Sequence, residues 1–406
     1  MELLDNRIQP YAWGSRTAIA RLQGRPFPTE KPEAELWMGA HPAAPSRLAV
    51  PRPCVSTLAE AVAAAPERML GAQTVSRFGP RLPFLLKVLA AETPLSLQAH
   101  PSREGAREGF ARENAAGVPL DSPVRNYKDE NHKPEILCAL GPFWALYGFR
   151  DVAQTVALLR SLRVPALEAW TALLARDGER GLAQTFRELM TLPASERVPL
   201  VEAVLAACGR EASDETFLEE RRWAVRLGEL YPGDAGVVGA LLLNLVQLEA
   251  GDALYLPAGN LHAYLSGTGV ELMASSDNVL RGGCTPKHVD AEELCRVLEF
   301  RAIPPKPLRP TAVSDVESAY ETSAPDFRLS RLTLHEGGAA FSSPGGQPEI
   351  VLCTEGSLQL KAMERVLRLH RGQSAFISAS DGAWTAAAVP SGGEAPAVAF
   401  RATVGA

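Results

Sequence analysis

The 406-residue sequence predicts a mainly β protein with a helical insert, and three changes of texture along the chain carry that prediction. Residues 1–150 are rich in Pro, Gly and aromatic punctuation around short apolar runs such as Pro83 to Leu89, the texture of strands and loops. Residues 151–234 switch to helical spacing. Strand texture returns over 235–310 and again over 311–406. A chain of this length exceeds one ordinary core, so several structural units are expected.

In the helical block Val152, Val156 and Leu159 fall on one face, as do Leu182, Phe186 and Leu189. Val201, Val204, Leu205 and Cys208 form an i, i+3, i+4, i+7 stripe, closed by Gly209 in the position of a helix C-cap. A further helix is predicted from about Asp214 to Leu230, where Tyr231-Pro232-Gly233-Asp234 breaks it. Ala240 to Leu248 then reads as a strand that leads into Gly251 to Gly259, a turn, a short strand and another turn. Ala291 to Phe300 reads as a short helix, since Asp290 can cap it and Glu292 and Glu293 suit its positive N-terminal end. Proline-rich Ile303 to Pro310 reads as a linker. In the last unit, Pro348 to Leu360 and Gly372 to Ala379 supply strand-like runs. Gly372 to Ile377 aligns with Gly251 to Leu256 as a short internal repeat, which sets Ala383 at the position of His262.

Composition bounds the function. An apolar fraction of 46% with 22% charged residues is that of a soluble globular protein. A net charge of −6 argues against a protein devoted to nucleic acid or to anionic membranes. The longest apolar runs are too short to cross a bilayer, and Met1 to Tyr11, with Glu2, Asp5 and Arg7, does not resemble a signal peptide. Six cysteines (Cys54, Cys138, Cys208, Cys284, Cys295, Cys353) form no Cys-x-x-Cys pair and read as reduced thiols. A cytoplasmic monomer with no nucleic-acid or membrane partner is expected. A small anionic substrate stays open, because a phosphate needs only a few local cations.

Four stretches hold the chemistry. Gln98 and His100 lie two apart, so a strand aims both at one point. Pro134 favours an extended chain at Lys133, so Lys133 and Glu135 share a face. His262 follows the tight turn Pro257-Ala258-Gly259-Asn260, and the run Glu271 to Lys287 adds charged groups. Nitrogen and carboxylate donors suit Zn²⁺ at roughly 2.0–2.2 Å, with a position left open for water or substrate. A set of Gln, two neutral His and one Glu keeps a net charge of about +1, which retains Lewis acidity. A single histidine or a Gln-x-His pair is weak evidence of a metal; the spacing from Gly251 to His262 is stronger.

Tyr127-x-Asp129-x-Asn131-His132-Lys133-Pro134-Glu135 resembles the first signature of type I phosphomannose isomerases without a mismatch. The run from His262 through Lys287 is similar to the second and departs at Gly282, where Ala is usual. Tyr11-Ala12-Trp13-Gly14, Glu35-Leu36-Trp37-Met38-Gly39 and Pro83 to His100 extend the likeness. The Gly251 to His262 spacing resembles the second metal motif of cupins, with Ser266 where their Asn stands. The resemblance implies cupin-type β jelly rolls, one catalytic and one C-terminal, plus an α-helical domain. The catalytic roll would lie in 1–150 and 235–310, the helical domain in 151–234, and a metal-free roll in 311–406. It implies one zinc ion on Gln98, His100, Glu135 and His262, and interconversion of mannose 6-phosphate and fructose 6-phosphate. Ser96, Lys87, Lys133, Glu271 and Arg281 would line the sugar-phosphate site, with Lys287, Tyr264, Asp277 and Trp13 as further substrate-binding residues and Arg281 catalytic.

Such a reaction moves a proton between C2 and C1 and stabilises the oxygens of an enediol, work for a Lewis acid and nearby cations. Glu271, His132 and Lys133 are each chemically able to act as the base, so the catalytic set is Arg281, Lys133, Glu271 and His132. Plainer readings stand beside these: Glu271 and Asp277 as structural hydrogen-bond partners, Lys87 as the cap of a buried strand, Trp13 and Trp37 as core or pocket wall. Two rivals remain: a metal-dependent cupin dioxygenase, against which Gln98 in place of a His speaks, and a non-catalytic sugar-phosphate binder.

Overall fold

The computed structural model describes residues 1–406 except 53–54, 211–215, 391–394 and 406. Cys54 and the predicted helix start at Asp214 therefore lie outside the described residues.

The first and third segments build one antiparallel sheet. Its main path runs Leu243–Leu248, Phe143–Phe149, His262–Ala274, Phe84–Ala91, Glu35–Met38 and Arg7–Gln9. Glu135–Ala139 pairs with His262–Ala274 and with Ala253–Leu256, and Gln98–Ala99 lies between His262 and Leu280–Arg281. Phe84–Ala91 is buried on both faces, which is why it reads as a continuous apolar run. Leu86, Val88 and Ala90 pack against Ile350, Leu352, Phe376 and Phe400 of the C-terminal sheet. Lys87 projects to the other side, beside Trp37 and Glu271.

His262–Ala274 is the central strand, and it changes partners midway. Its first half pairs with Phe143–Phe149 and its second with Phe84–Ala91 and Glu135–Ala139. Gly267 makes the change, with φ +130 and Phe143 so close that a Cβ would lie 2.6 Å from that ring. One strand thus presents His262 at one end and Glu271 nine residues on.

The helical block packs the predicted stripes inward: Leu159, Leu182, Phe186, Leu189, Val201 and Val204 share one cluster with Leu146 and Phe149 of the sheet. Four details depart from the sequence reading. Gly209 caps its helix in the right-handed region, φ −77, so its special conformational freedom is not used. Among the described residues the next helix begins at Leu218. A further helix, Ala235–Ala240, precedes the strand that begins at Leu243, because the Asp234 carboxylate accepts the Gly236 N–H and starts it. Ile303 to Pro310 is no free linker: Ala302 bridges to Phe149 and Leu308 to Ala253. The Asp290-capped helix is present over Ala291–Val297. Helices and strands take nearly equal shares of the described residues, and no described helix is long and apolar enough to cross a membrane.

The C-terminal strands form a nine-stranded and a four-stranded sheet, and the first segment contributes Glu2–Asp5, Arg47–Arg52 and Val55–Thr57 to the larger one. Register for register this unit repeats the other. Trp37, Lys87, Glu271 and Leu137 follow one another across four strands; Ala319, Ser330, Arg401 and Val351 do the same. Glu135 faces Leu256 as Glu349 faces Ile377. The short repeat seen in the sequence is therefore part of a structural one, with a correction at its end. His262 lies across from Gln98 and Tyr147; the buried residue in the equivalent place is Trp384, across from Ser343 and Ala362. Ala383 is exposed, one residue short, because only every second strand residue faces inward.

Candidate metal centre

His100, Glu135 and His262 are buried, and their ligand atoms lie within 4.8 Å of one another. His100 Nε2 is 3.3 Å from Glu135 Oε1, and His262 Nε2 is 3.5 Å from Oε2. His100 Nδ1 faces the Asn278 carbonyl at 2.8 Å and His262 Nδ1 the Asn260 carbonyl at 3.0 Å. A carbonyl only accepts, so each Nδ1 carries the hydrogen and each Nε2 turns a lone pair to the centre. Burial outweighs the attraction of Glu135 and lowers the pKa of His100 to about 4, which keeps the ring neutral and fit to ligate. Both Nε2 atoms and Glu135 Oε2 are buried without a hydrogen-bond partner. Such orphaned atoms are costly unless something binds them, and a divalent cation fits all three. Gln98 joins them by register, directly across from His262 on one side and Arg281 on the other, so the three side chains share a face.

Lys133 Nζ lies 3.1 Å from Glu135 Oε1, as the extended chain before Pro134 requires. Burial opposes ionisation of Glu135, but Lys133 and the two histidines hold its carboxyl well below the ordinary value. Lys87 does not cap a strand end. It lies mid-strand and buried, 3.1 Å from Glu271 Oε2 and 3.5 Å from Glu35 Oε1, with its ammonium over the Trp37 ring. Trp37 Nε1 donates to Glu35 Oε2 at 2.8 Å. Burial lowers the Lys87 pKa, yet Glu35 and Glu271 carry it above the ordinary lysine value. Glu271 moves up instead, through burial and the carboxylates of Glu135 and Glu35, against the pull of Lys87. Tyr264 is fully buried with its hydroxyl unpartnered, and burial beside Glu271 and Glu135 pushes its pKa well up.

At the mouth, Arg281 is half-buried and desolvation lowers its pKa; no carboxylate lies within ion-pair reach among the described residues. Exposed Lys287 is pulled down by partial burial and by repulsion from Arg281 and Lys128. Asp277 is half-exposed, with His41 Nε2 at 3.4 Å. Ser96 is half-buried between Leu95, whose N–H donates to Tyr264 O, and Leu97, whose N–H donates to Gly283 O. Trp13 stacks on Tyr11 at 5.8 Å and packs on the cluster that holds Tyr264. His132 is the residue not brought to the centre. Alternation turns it away from Lys133, and its Nε2 lies 2.6 Å from Asp326 Oδ2, beside Arg103. The sequence reading missed Lys128, whose backbone N–H donates to Asn278 Oδ1, and the roles of Glu35 and Asn278. Glu35 stood in a string already singled out, two residues before Trp37. The Asn278 carbonyl has no signal in its letter.

A family model, phosphomannose isomerase type I, catalytic domain, matches residues 1–152. The mannose-6-phosphate isomerase of Salmonella typhimurium strain LT2 is 41% identical over 386 residues, 94% of this chain and 95% of that protein. This chain belongs to the type I phosphomannose isomerase family. A crystal structure of a mannose 6-phosphate isomerase bound with zinc and yttrium matches all of both chains with a TM-score of 0.88 at 36% identity. The human mannose-6-phosphate isomerase is 32% identical over 93% of each chain. The jelly rolls and helical insert are those of the type I family, and the orphaned donors lie within its cupin-type sheet.

Proposed function

We propose that this chain is a zinc-dependent mannose-6-phosphate isomerase that interconverts mannose 6-phosphate and fructose 6-phosphate through an enediol. The observation that carries the reading is the trio of buried, unpartnered ligand atoms on His100, Glu135 and His262 beside the Lys87–Glu271 pair. Gln98, His100, Glu135 and His262 would hold the zinc, which when bound supplies a Lewis acid toward the substrate oxygens. We assign the catalytic roll to 1–150 and 235–310, the helical domain to 151–234 and the second roll to 311–406.

Within that site the chain's own groups divide the work. Glu271 moves the proton between C2 and C1; its raised pKa suits a group that must both take and return a proton. Lys87 and Lys133 offer fixed cations to the oxygens on which negative charge develops, stabilisation that is strongest in the transition state. Arg281, with its planar fork free of carboxylates, and Lys287 receive phosphate or enediolate oxygens. Ser96 adds a hydroxyl donor, Tyr264 and Trp13 wall the sugar, and Asp277 faces a sugar hydroxyl. His132 has no part in the proton transfer.

A coupled assay for fructose 6-phosphate formation, with zinc quantified in the same sample, tests the reading. Conversion should track bound zinc and vanish on chelation; turnover in a verifiably metal-free sample sinks it. Glu271→Gln should retain zinc yet lose exchange of the C2 proton with solvent deuterium, and retained exchange would remove Glu271 as the base.

A further inference from the structure

His41 is a buried polar residue that the mechanism above does not use. Its Nδ1 accepts the backbone N–H of Ala43 at 3.3 Å, and an amide nitrogen only donates, so Nδ1 carries the lone pair. In the neutral ring the hydrogen is then on Nε2, and Nε2 lies 3.4 Å from Asp277 Oδ1. The ring is held from the side by Trp37, edge-on at 4.9 Å between centroids. Trp37 in turn lies under the Lys87 ammonium and donates to Glu35. One connected wall therefore runs from Glu35 and Lys87 through Trp37 and His41 to Asp277.

The backbone at Asp277 is set independently. Its N–H donates to Asp129 Oδ2 at 2.8 Å, and Asp129 also accepts from Ser276 Oγ and the Asn131 N–H. Only the Asp277 side chain is left to choose its rotamer, and it is half-exposed at the rim of a cavity of about 330 Å³ that His41 and Lys128 also line and the metal-centre residues do not; its tie to the centre is Lys133, whose charge it feels. A carboxylate at such a rim is free to turn outward unless something aims it. Burial raises the Asp277 pKa, and His41, Lys133 and Lys128 together bring it below the ordinary value, so the carboxylate is charged and attracted inward.

We propose that His41 is a positioning residue for the isomerase site: its Nε2–H holds the Asp277 carboxylate in the rotamer that meets the substrate. The inference rests on the functional reading given above and extends it to a residue that touches neither metal nor sugar. Contacts of this kind are long in the free enzyme and tighten in the substrate complex, and a misplacement of about 1 Å costs up to roughly 10²-fold in rate.

The test is a double-mutant cycle on the zinc-loaded protein. His41→Phe keeps a ring against Trp37 and removes the donor; His41→Gln restores an N–H. His41→Phe should lower kcat/KM by about 10-fold or more with zinc still stoichiometric, and His41→Gln should recover part of the loss. Adding His41→Phe to Asp277→Ala should change nothing further, because Asp277→Ala has already removed the acceptor that His41 acts on. Multiplying effects, or a Gln variant no better than Phe, would overturn the proposal. If the wild-type zinc protein shows no isomerase activity, the functional reading fails by itself. The cycle is then read in melting temperature, where additive shifts overturn the His41–Asp277 coupling and non-additive shifts uphold it.

Discussion

Glu135 and Glu349 occupy the same register in two β units built alike, and their surroundings are opposite. Around Glu135 stand two histidines at 3.3 and 3.5 Å, with an oxygen and both ring nitrogens unpartnered. Around Glu349 every donor is engaged: Ser343 Oγ at 2.7 Å, Trp384 Nε1 at 3.0 Å and Arg401 Nε at 2.5 Å. Arg401 stands where the active unit has Glu271 and also reaches Glu317, the counterpart of Glu35, at 3.0 Å. The same framework of buried carboxylates is thus neutralised in two ways. In one unit Lys87 and Lys133 do part of it and a metal on the unpartnered ligand atoms would do the rest; in the other a covalently tethered guanidinium does. A satisfied carboxylate has nothing left to offer a metal or a substrate. Chemistry is possible only where the fold leaves donors unpaired, and that arrangement costs stability.

The largest effect should come from removing the carboxylate of the active unit. Glu135→Gln takes away the one anionic ligand and the partner of Lys133. Loss of the several kcal/mol that a Lewis acid contributes converts to roughly 10³-fold or more in turnover. Zinc analysis should show the metal lost, and the melting temperature should fall below that of the zinc-free wild type, because buried Lys133 is left without its carboxylate. Full zinc occupancy would place the ligand set elsewhere.

Arg401→Met should separate stability from metal binding. It leaves Glu317 and Glu349 buried without their cation, a loss of about 3–5 kcal/mol that denaturant unfolding should register. Zinc per folded chain should stay at the wild-type level. The triple change Arg401→Met, Glu317→Gln and Glu349→Gln should recover much of that stability, since no unpaired charge remains. If the single variant instead loses zinc or turnover in its folded fraction, the two units are not separable as described.

Lys133→Met sharpens the contrast inside the active unit. It keeps a stem of similar length and removes the charge 3.1 Å from Glu135. Turnover should fall by about 10²-fold, the scale of one preorganised electrostatic contact, with zinc retained. A rate within a few-fold of wild type would leave Lys87 as the working cation.

Much of this site could be read from letters, and what could not has a physical reason. Strand alternation joined Lys133 to Glu135, and helix periodicity found the stripes of Leu182 and Val201, since both depend only on local spacing. Gln98, His100 and His262 were named through spacing and family likeness. The sugar-phosphate role of Lys87 rests on family likeness, and its mid-strand burial is invisible in the letters because it depends on Glu35 and Glu271 arriving from two other strands. The carbonyls of Asn278 and Asn260 fix the histidine tautomers, and a main-chain group leaves no mark in a sequence. Counting residues sets Ala383 at the position of His262, and a count does not register that cross-strand pairing slips by one to Trp384.

The smallest effect is expected at the contact between the two units. His132 is adjacent to Lys133 yet faces the other way, toward Asp326 of the C-terminal segment and Arg103. His132→Asn removes one hydrogen-bonded contact to Asp326, which keeps Arg103 as a partner, a loss of about 1 kcal/mol, so the melting temperature should drop only slightly. Turnover should stay within about 3-fold of wild type, because its ring lies against Asp326 and Arg103, turned away from Lys133 and Glu135. A loss beyond 10-fold with zinc intact would mean that the C-terminal unit does more than cover the sheet: it would be steering Lys133 through the chain at His132.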